Sequence, residues 1–125
     1  MASLPDVIQA YIIAYNDKDV EGMLACLSDN VSFRNISGGQ VTAEASDKQC
    51  LAEMARFGVS AFETRLQTIT NAITVADTTL VEIAYSAVVA KDLPNGWKAG
   101  QELAFSGASS FRIVDGEIVS IVDES

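Results

Sequence analysis

The chain has 125 residues, a formal net charge of −9 and no histidine. Its length suits one domain, residues 1–125, with a single hydrophobic core, and its acidity without a basic cluster argues against nucleic acid as a partner. No apolar run nears the roughly 20 residues of a membrane span, the N-terminus lacks a secretory signal pattern, and the missing imidazole excludes histidine catalysis. We therefore expect a cytoplasmic protein, or one whose leader was removed, without a membrane partner, a metal or a cofactor.

Two amphipathic helices are predicted at the N-terminal end. Ser3, Pro5 and Asp6 form a helix start, with Ser3 as the cap and the proline in the first turn. Asp19 is expected to cap a second helix, which ends at residues 28–30. Apolar residues follow each start at helical spacing: Ile8, Tyr11, Ile12 and Tyr15 in the first helix, and Val20, Met23, Leu24 and Leu27 in the second.

A short strand and a third helix are predicted next. Residues 31–36 alternate in polarity, with Val31, Phe33 and Asn35 on one face, so that the polar Asn35 continues an apolar row. Residues 37–39, Ser-Gly-Gly, are expected to end this strand and open a loop. The third helix is predicted from about residue 47 to 57, started by a capping box at 46–49 and closed or bent by Gly58.

Strands predominate in the second half of the chain. β-Branched residues favour strands at 64–75, 79–90, 100–114 and 117–123. The pair Asp115-Gly116 is a strong signal for a tight hairpin between the last two strands. Helices followed by an antiparallel meander predict an α+β fold, with the helices on one face of a sheet.

The larger and more apolar row of each long strand is expected to face the helices. In strand 79–90 this row is Val81, Ile83, Tyr85, Ala87 and Val89. In strand 100–114 it is Leu103, Phe105, Gly107, Ser109, Phe111 and Ile113, which Ser109 interrupts. In the last strand, alternation alone leaves two rows open: Val119, Ile121 and Asp123, or Ile118, Ser120 and Val122.

Tyr11, Asn35, Ser109 and Asp123 are polar residues that share these predicted apolar surroundings. Each has a simpler structural explanation, as a core tyrosine, a strand end, a small packed residue and a solvated acid. Should they converge, they would line one cavity, because buried polar groups must find partners or bind something. We predict that the N-terminal helices roof such a pocket and do not fill the space against the sheet.

Three stretches of the chain, residues 11–20, 27–33 and 111–119, resemble the NTF2-like superfamily in its SnoaL-like and ketosteroid-isomerase-like branch. The resemblance implies a cone, in which three N-terminal helices pack on a strongly curved, mainly antiparallel sheet that encloses a pocket. It also implies a homodimer through the outer face of the sheet, which would bury the row that includes Glu82 and Ser86.

The resemblance further assigns roles to single residues. Ketosteroid isomerases use a tyrosine of the first helix as an oxyanion donor, an aspartate base on the first strand and a protonated aspartate on a later strand. Tyr11 matches the tyrosine, whereas Asn35 and Ser109 stand where the two acids should be. SnoaL-like polyketide cyclases carry an acid–base aspartate near the end of the last strand, and Asp123 is its match here, which places Ile121 and Asp123 on the pocket row.

These observations lead to three functional hypotheses. The first is an enzyme that cyclises or isomerises a small hydrophobic carbonyl compound, polyketide-like or steroid-like, with Tyr11 and Asp123 as the catalytic residues. The second is a ligand-binding protein without chemistry, and the third is a dimerisation module with a vestigial pocket. The residues predicted to contact the ligand are Asn35, Tyr15, Phe33, Val81, Ile83, Tyr85, Phe105, Ser109 and Ile121.

Overall fold

The computed structural model describes residues 4–125, so the predicted cap Ser3 lies outside the described residues. The elements are α1 (Asp6–Asn16), α2 (Val20–Ala25), β1 (Leu27–Ser37), β2 (Gln40–Ala45), α3 (Lys48–Ala61), β3 (Phe62–Val75), β4 (Thr78–Val89), β5 (Glu102–Val114) and β6 (Glu117–Glu124). The predicted α+β class is confirmed. Within this range no helix is both long and apolar enough to cross a membrane.

The sheet joins the beginning and the end of the chain. Within the described range its six strands are ordered β2-β1-β6-β5-β4-β3, and only the β1–β6 pair is parallel. In this register Asn35 on β1 faces Asp123 on β6, which faces Ser109 on β5, which in turn faces Val81 on β4. The strand pairing therefore places three of the predicted polar residues in one row across the sheet.

The first two helices follow the predicted pattern at their buried stripe and at one cap. Ile8, Tyr11 and Ile12 are buried on α1, and the side chain of Asp19 accepts a hydrogen bond from the backbone N–H of Gly22 at 3.0 Å. The expectation that Leu27 belongs to α2 is wrong. Leu27 begins β1, because its backbone pairs with Ile118 of β6, and its side chain, 1% exposed, lies in the hydrophobic core.

Two further predictions of element boundaries are wrong. The Ser-Gly-Gly segment does not open a loop, since Gly38 and Gly39 take φ values of +59° and +79° and form the tight turn into β2. Helix α3 does not stop at Gly58 but continues to Ala61, where the chain passes directly into β3. At its start, Asp47 caps α3 by accepting from the N–H of Cys50 at 2.8 Å.

The core lies between the helices and the inner face of the sheet. The predicted inward row of β4 is confirmed, since Val81, Ile83, Ala87 and Val89 are each at most 7% exposed. In β6 both Ile118 and Ile121 are buried, at 0% and 1%. The register with β5 shifts between Arg112 and Ile113, and this irregularity turns residues of both alternative rows inward.

The end of α1 is fixed to the edge strand β3. The amide of Asn16 donates to the carbonyl of Gln67 at 3.0 Å and accepts from its N–H at 2.8 Å. Lys18 donates to the carbonyls of Phe62 and Glu63, both at 2.6 Å. These bonds pair some of the backbone groups at the free edge of the sheet. They also fix the end of α1, which carries Tyr11 and Tyr15, against β3.

Candidate functional site

Asp123 is a partly buried carboxylate at the centre of the polar row. Its Oδ1 accepts a hydrogen bond from the Ser109 hydroxyl at 2.6 Å. Burial raises the pKa of Asp123 to about 6, although the bond from Ser109 acts in the opposite direction. A carboxylate with such a pKa is ionised at neutral pH and accepts a proton more readily than an exposed aspartate does.

Tyr11 faces the same interior from α1. Its ring packs edge-on against Phe111, with 5.9 Å between the centroids, and the residue is 7% exposed. Its hydroxyl has no hydrogen-bond partner within residues 4–125, yet no fully buried side-chain oxygen in that range lacks one. The hydroxyl therefore retains contact with accessible space.

The electrostatic surroundings keep the Tyr11 hydroxyl protonated. Burial is the main cause that raises its pKa above the usual value, and the negative charge of Asp123 is the second. The two predicted catalytic residues are thus close enough to interact electrostatically. One of them is a neutral donor and the other a proton acceptor.

A second polar group lies one helical turn further along α1. The Tyr15 hydroxyl donates to the Tyr85 hydroxyl at 3.1 Å, and the guanidinium of Arg65 stacks on the Tyr15 ring at 3.8 Å from its centroid. Arg65 Nε also donates to the Tyr15 carbonyl at 3.0 Å. Burial, followed by the proximity of Tyr15, raises the pKa of Tyr85 above its usual value.

Aromatic side chains continue from this group to the surface. Tyr85 packs against Phe105 at 5.0 Å and against Phe62 at 6.4 Å between centroids, and Phe62 reaches Trp97 at 6.3 Å. Phe105 is 40% exposed. Tyr85 and Phe105 were predicted as ligand contacts, whereas Phe62 and Trp97 fall at an element boundary and in a loop, where the sequence pattern gave no signal.

Asn35 occupies its predicted row but also binds the unpredicted strand β2. It is the register partner of Asp123, and its amide nitrogen donates to the Thr42 hydroxyl at 2.8 Å. The side-chain nitrogen is therefore occupied by β2.

A cavity of about 430 Å³ lies beside the β2–β1–β6 edge and the start of α3. Two of the predicted ligand contacts, Phe33 and Ile121, line it, while Tyr11 and Asp123 do not. Its lining residues are Ser32, Phe33, Arg34, Glu44, Ala45, Ser46, Cys50, Ser120, Ile121 and Val122. The link to the polar row is Ile121, which pairs with Phe111, the residue on which the Tyr11 ring packs.

Val81 and Ile83 belong to the apolar wall behind the polar row. They are 1% and 7% exposed and lie in the same hydrophobic cluster as Tyr11, Phe111 and Ile121. Their packing contributes to the low polarity around Tyr11, and burial is the main cause of the raised pKa of both Tyr11 and Asp123.

Comparison with known proteins agrees with this architecture. The family model of the SnoaL-like domain matches residues 8–121. No curated protein shows a significant match to the sequence.

Solved structures match nearly the whole chain. A Catenulispora acidiphila protein with a ketosteroid isomerase-like fold, in complex with trimethylamine, has a TM-score of 0.78 at 17% identity and covers 97% of this chain and 85% of its own. An epoxide hydrolase of M. tuberculosis, described as LEH-like, has a TM-score of 0.77 at 16% identity over 96% of this chain and 80% of that one. A candidate polyketide cyclase from Silicibacter sp. has a TM-score of 0.76 at 22% identity over 94% and 85%.

At these identities the likeness to solved structures establishes the fold alone. A further neighbour from Novosphingobium aromaticivorans is a cystatin-fold protein, with a TM-score of 0.74 over 98% of both chains. Together with the family match over most of the chain, these findings place the protein: it belongs to the SnoaL-like family and has the α+β cone of the NTF2-like superfamily.

Proposed function

We propose that this protein binds a small apolar carbonyl compound and cyclises or isomerises it through an enolate. The observation that carries the proposal is Asp123, a carboxylate whose pKa burial raises to about 6 and whose charge acts on the unbonded hydroxyl of Tyr11. Polyketide cyclase and ketosteroid isomerase-like proteins among the structural neighbours are consistent with a carbonyl substrate.

The proton moves between carbon and Asp123. Asp123 takes a proton from the carbon next to the carbonyl, the C–H electron pair forms the enolate double bond, and the carbonyl electrons move to oxygen. Tyr11 stabilises that oxygen by donating a hydrogen bond. The enolate carbon then either attacks a second carbonyl of the same ligand or the proton returns to a different carbon. In both outcomes Asp123 gives its proton back, to the new alkoxide or to carbon.

Ser109 and Asn35 assist as positioning residues in this proposal. Ser109 holds Oδ1 of Asp123 at 2.6 Å, which leaves Oδ2 for the proton transfer. Asn35 stands beside Asp123 in the register, and its amide oxygen is available to orient a ligand hydroxyl or a water. Tyr15, Phe33, Val81, Ile83, Tyr85, Phe105 and Ile121 are proposed as the apolar contacts.

The test replaces Asp123 by Asn and follows the turnover of polyketide-like and steroid-like carbonyl compounds. Removing a general base is expected to lower the rate by about 10²- to 10⁴-fold. The wild-type rate should rise with pH through a midpoint at about 6, because only the ionised carboxylate accepts the proton. Glu124→Gln, at the exposed neighbouring position, is the matched control. Unchanged turnover in Asp123→Asn would remove Asp123 from the mechanism.

A binding protein without chemistry is the second candidate. Its support is that Asn35 and Ser109 replace two acids of the ketosteroid isomerases and that the chain has no histidine. A panel of hydrophobic ligands separates the two in a thermal-shift assay, since a ligand at 100 times its Kd adds about 2.7 kcal/mol of stability. Ligands that stabilise the protein and are never converted would favour pure binding.

We also propose a homodimer through the outer face of the sheet. Leu66 and Leu80 are apolar side chains exposed there, at 49% and 52%, and Glu82 and Ser86 lie on the same outer face. Sedimentation velocity at micromolar concentration is expected to give a dimer, and Ser86→Arg should shift it to monomer. A wild-type monomer would exclude this interface. A dimer that binds no ligand would favour the third hypothesis, a module with a vestigial pocket.

A further inference from the structure

Arg65 is a buried cation that the proposed chemistry does not use. It is 7% exposed, and its Nε donates to the Tyr15 carbonyl at 3.0 Å. Its Nη2 lies 4.0 Å from the sulfur of Met23, which is a weak acceptor. Among residues 4–125 it takes part in none of the salt bridges, which are all between partly or fully exposed side chains.

The surroundings of Arg65 offset its charge only in part. The carbonyl it binds lies at the C-terminal end of α1, where the helix dipole is negative, and the Tyr15 ring adds a cation–π contact at 3.8 Å. Neither supplies a full negative charge, and buried charges are usually paired.

One nitrogen of the guanidinium remains available. Nη1 has no acceptor within residues 4–125, and no fully buried side-chain nitrogen in that range lacks a partner, so Nη1 borders accessible space. Gly58 of α3 lies beside Nη1. A Cβ built there would lie 3.3 Å from Nη1, so the absence of a side chain at this position keeps the nitrogen uncovered.

Arg65 also faces the same interior as the tyrosines. Its guanidinium stacks on the Tyr15 ring at 3.8 Å, and the Tyr15 hydroxyl bonds that of Tyr85. In addition, the charge of Arg65 opposes the rise in pKa of both Tyr11 and Tyr85. The interior thus has a carboxylate beside Tyr11 at one end and a guanidinium beside the Tyr15–Tyr85 pair at the other.

We propose that Arg65 binds a carboxylate group of the ligand, with the hydroxyl pair of Tyr15 and Tyr85 next to it. The free Nη1 would donate its N–H groups to the carboxylate in a charge-assisted hydrogen bond, which is stronger than a neutral one. The inference rests on the proposed function and narrows its ligand to an apolar compound that carries a carboxylate. Binding at Arg65 would hold the carbonyl end of such a compound toward Tyr11 and Asp123.

The test compares a carboxylate with its neutral amide in binding alone. Isothermal titration with cinnamate and cinnamamide at neutral pH is expected to show the acid bound at least about tenfold more tightly by the wild type. Arg65→Gln should abolish this preference and leave the affinity for the amide within about twofold. Arg112→Gln, which removes an exposed arginine, is the matched control and should keep the preference.

Gly58→Ala keeps the test decisive if Arg65→Gln does not fold. The added methyl crowds Nη1 without removing the charge, so the affinity for cinnamate should fall while that for cinnamamide stays. Equal affinities in the wild type, or a preference that survives in Arg65→Gln, would overturn the carboxylate site and leave the proposed function standing. Failure of the wild type to bind either compound would count against both.

Discussion

The Asp123 end and the Arg65 end of the interior pair a buried charged group with tyrosine, and they differ in what the charge can do. At Asp123, burial raises the pKa to about 6, so its charge is lost and regained near physiological pH. At Arg65 the guanidinium keeps its charge at any pH a protein survives. The first end is suited to moving a proton, and the second to holding an anion in place.

The tyrosine hydroxyls at the two ends also differ in whether they are hydrogen-bonded. The Tyr11 hydroxyl is left without a protein partner in the described residues, while the Tyr15 and Tyr85 hydroxyls bond each other at 3.1 Å. A donor that must meet a developing oxyanion needs to be free before the reaction. The two hydroxyls of Tyr15 and Tyr85, which only border the proposed binding site, can remain bonded to each other.

The largest expected effect on stability is at Asp123. A carboxyl whose pKa rises from 3.8 to about 6 on folding binds its proton more tightly in the folded state. Stability is therefore highest below pH 3.8 for this group, falls as pH rises to about 6, and is lower by at most about 3 kcal/mol above that. Asp123→Asn should thus be more stable than wild type at pH 8, with the difference vanishing near pH 4.

Urea unfolding at both pH values measures this difference. Asp77 supplies a control of opposite sign, because the hydrogen bond from Arg112 lowers its pKa. Asp77→Asn should remove a stabilisation that is present above the ordinary pKa and lost as pH falls. If Asp123→Asn destabilises the protein equally at pH 8 and pH 4, burial does not disfavour the charged form of Asp123.

Gly107→Ala is expected to disturb only the Asp123 end. A Cβ at this position would lie 2.8 Å from the carbonyl oxygen of Glu124, so the end of β6 must move, at a cost of about 1–3 kcal/mol. Water then reaches Asp123, and its pKa should fall toward 3.8. Ser106→Ala, exposed on the neighbouring position, should change neither stability nor pKa. If the pKa of Asp123 were unchanged in Gly107→Ala, the loss of stability would not be linked to hydration of the carboxylate.

The smallest effect distinguishes the two tyrosines of α1. Tyr15→Phe removes the bond to Tyr85 and should cost about 1 kcal/mol of stability. Tyr11→Phe removes no hydrogen bond to a described residue and should be close to neutral in stability, while lowering any turnover. Equal losses in thermal unfolding for both variants would mean that the Tyr11 hydroxyl is also bonded in solution.

The spacing of apolar residues was sufficient to predict most of the helices and strands, because an element buried on one face repeats its apolar residues at a fixed interval. The inward row of β4 and the Asp19 cap followed from local patterns. Strand β2 was missed because five of its six residues are not buried, at Gln40–Ala45, so no apolar alternation marks it. The two inward rows of β6 could not be separated because a register shift against β5 breaks the alternation.

The site was predicted in part, and the missing part has a physical reason. Asp123 and Ser109 lie in one row through the predicted β5–β6 hairpin, whereas Asn35 joins that row only because β1 pairs with β6, a long-range pairing that local patterns do not encode. Arg65 was not selected because a charged residue on a strand normally faces solvent. Its row on β3 also contains Ile69, and that alternation was the signal available for an inward arginine.

The pKa of Asp123, followed by the NMR shift of its side-chain carboxyl carbon during a pH titration, tests the central claim most directly. Selective ¹³C labelling of aspartate, with Asp123→Asn to assign the resonance, makes the measurement independent of any substrate. We predict a midpoint at about 6. A midpoint near 3.8, the ordinary value, would mean that Asp123 is a solvated acid, and the proposed proton transfer would lose its base.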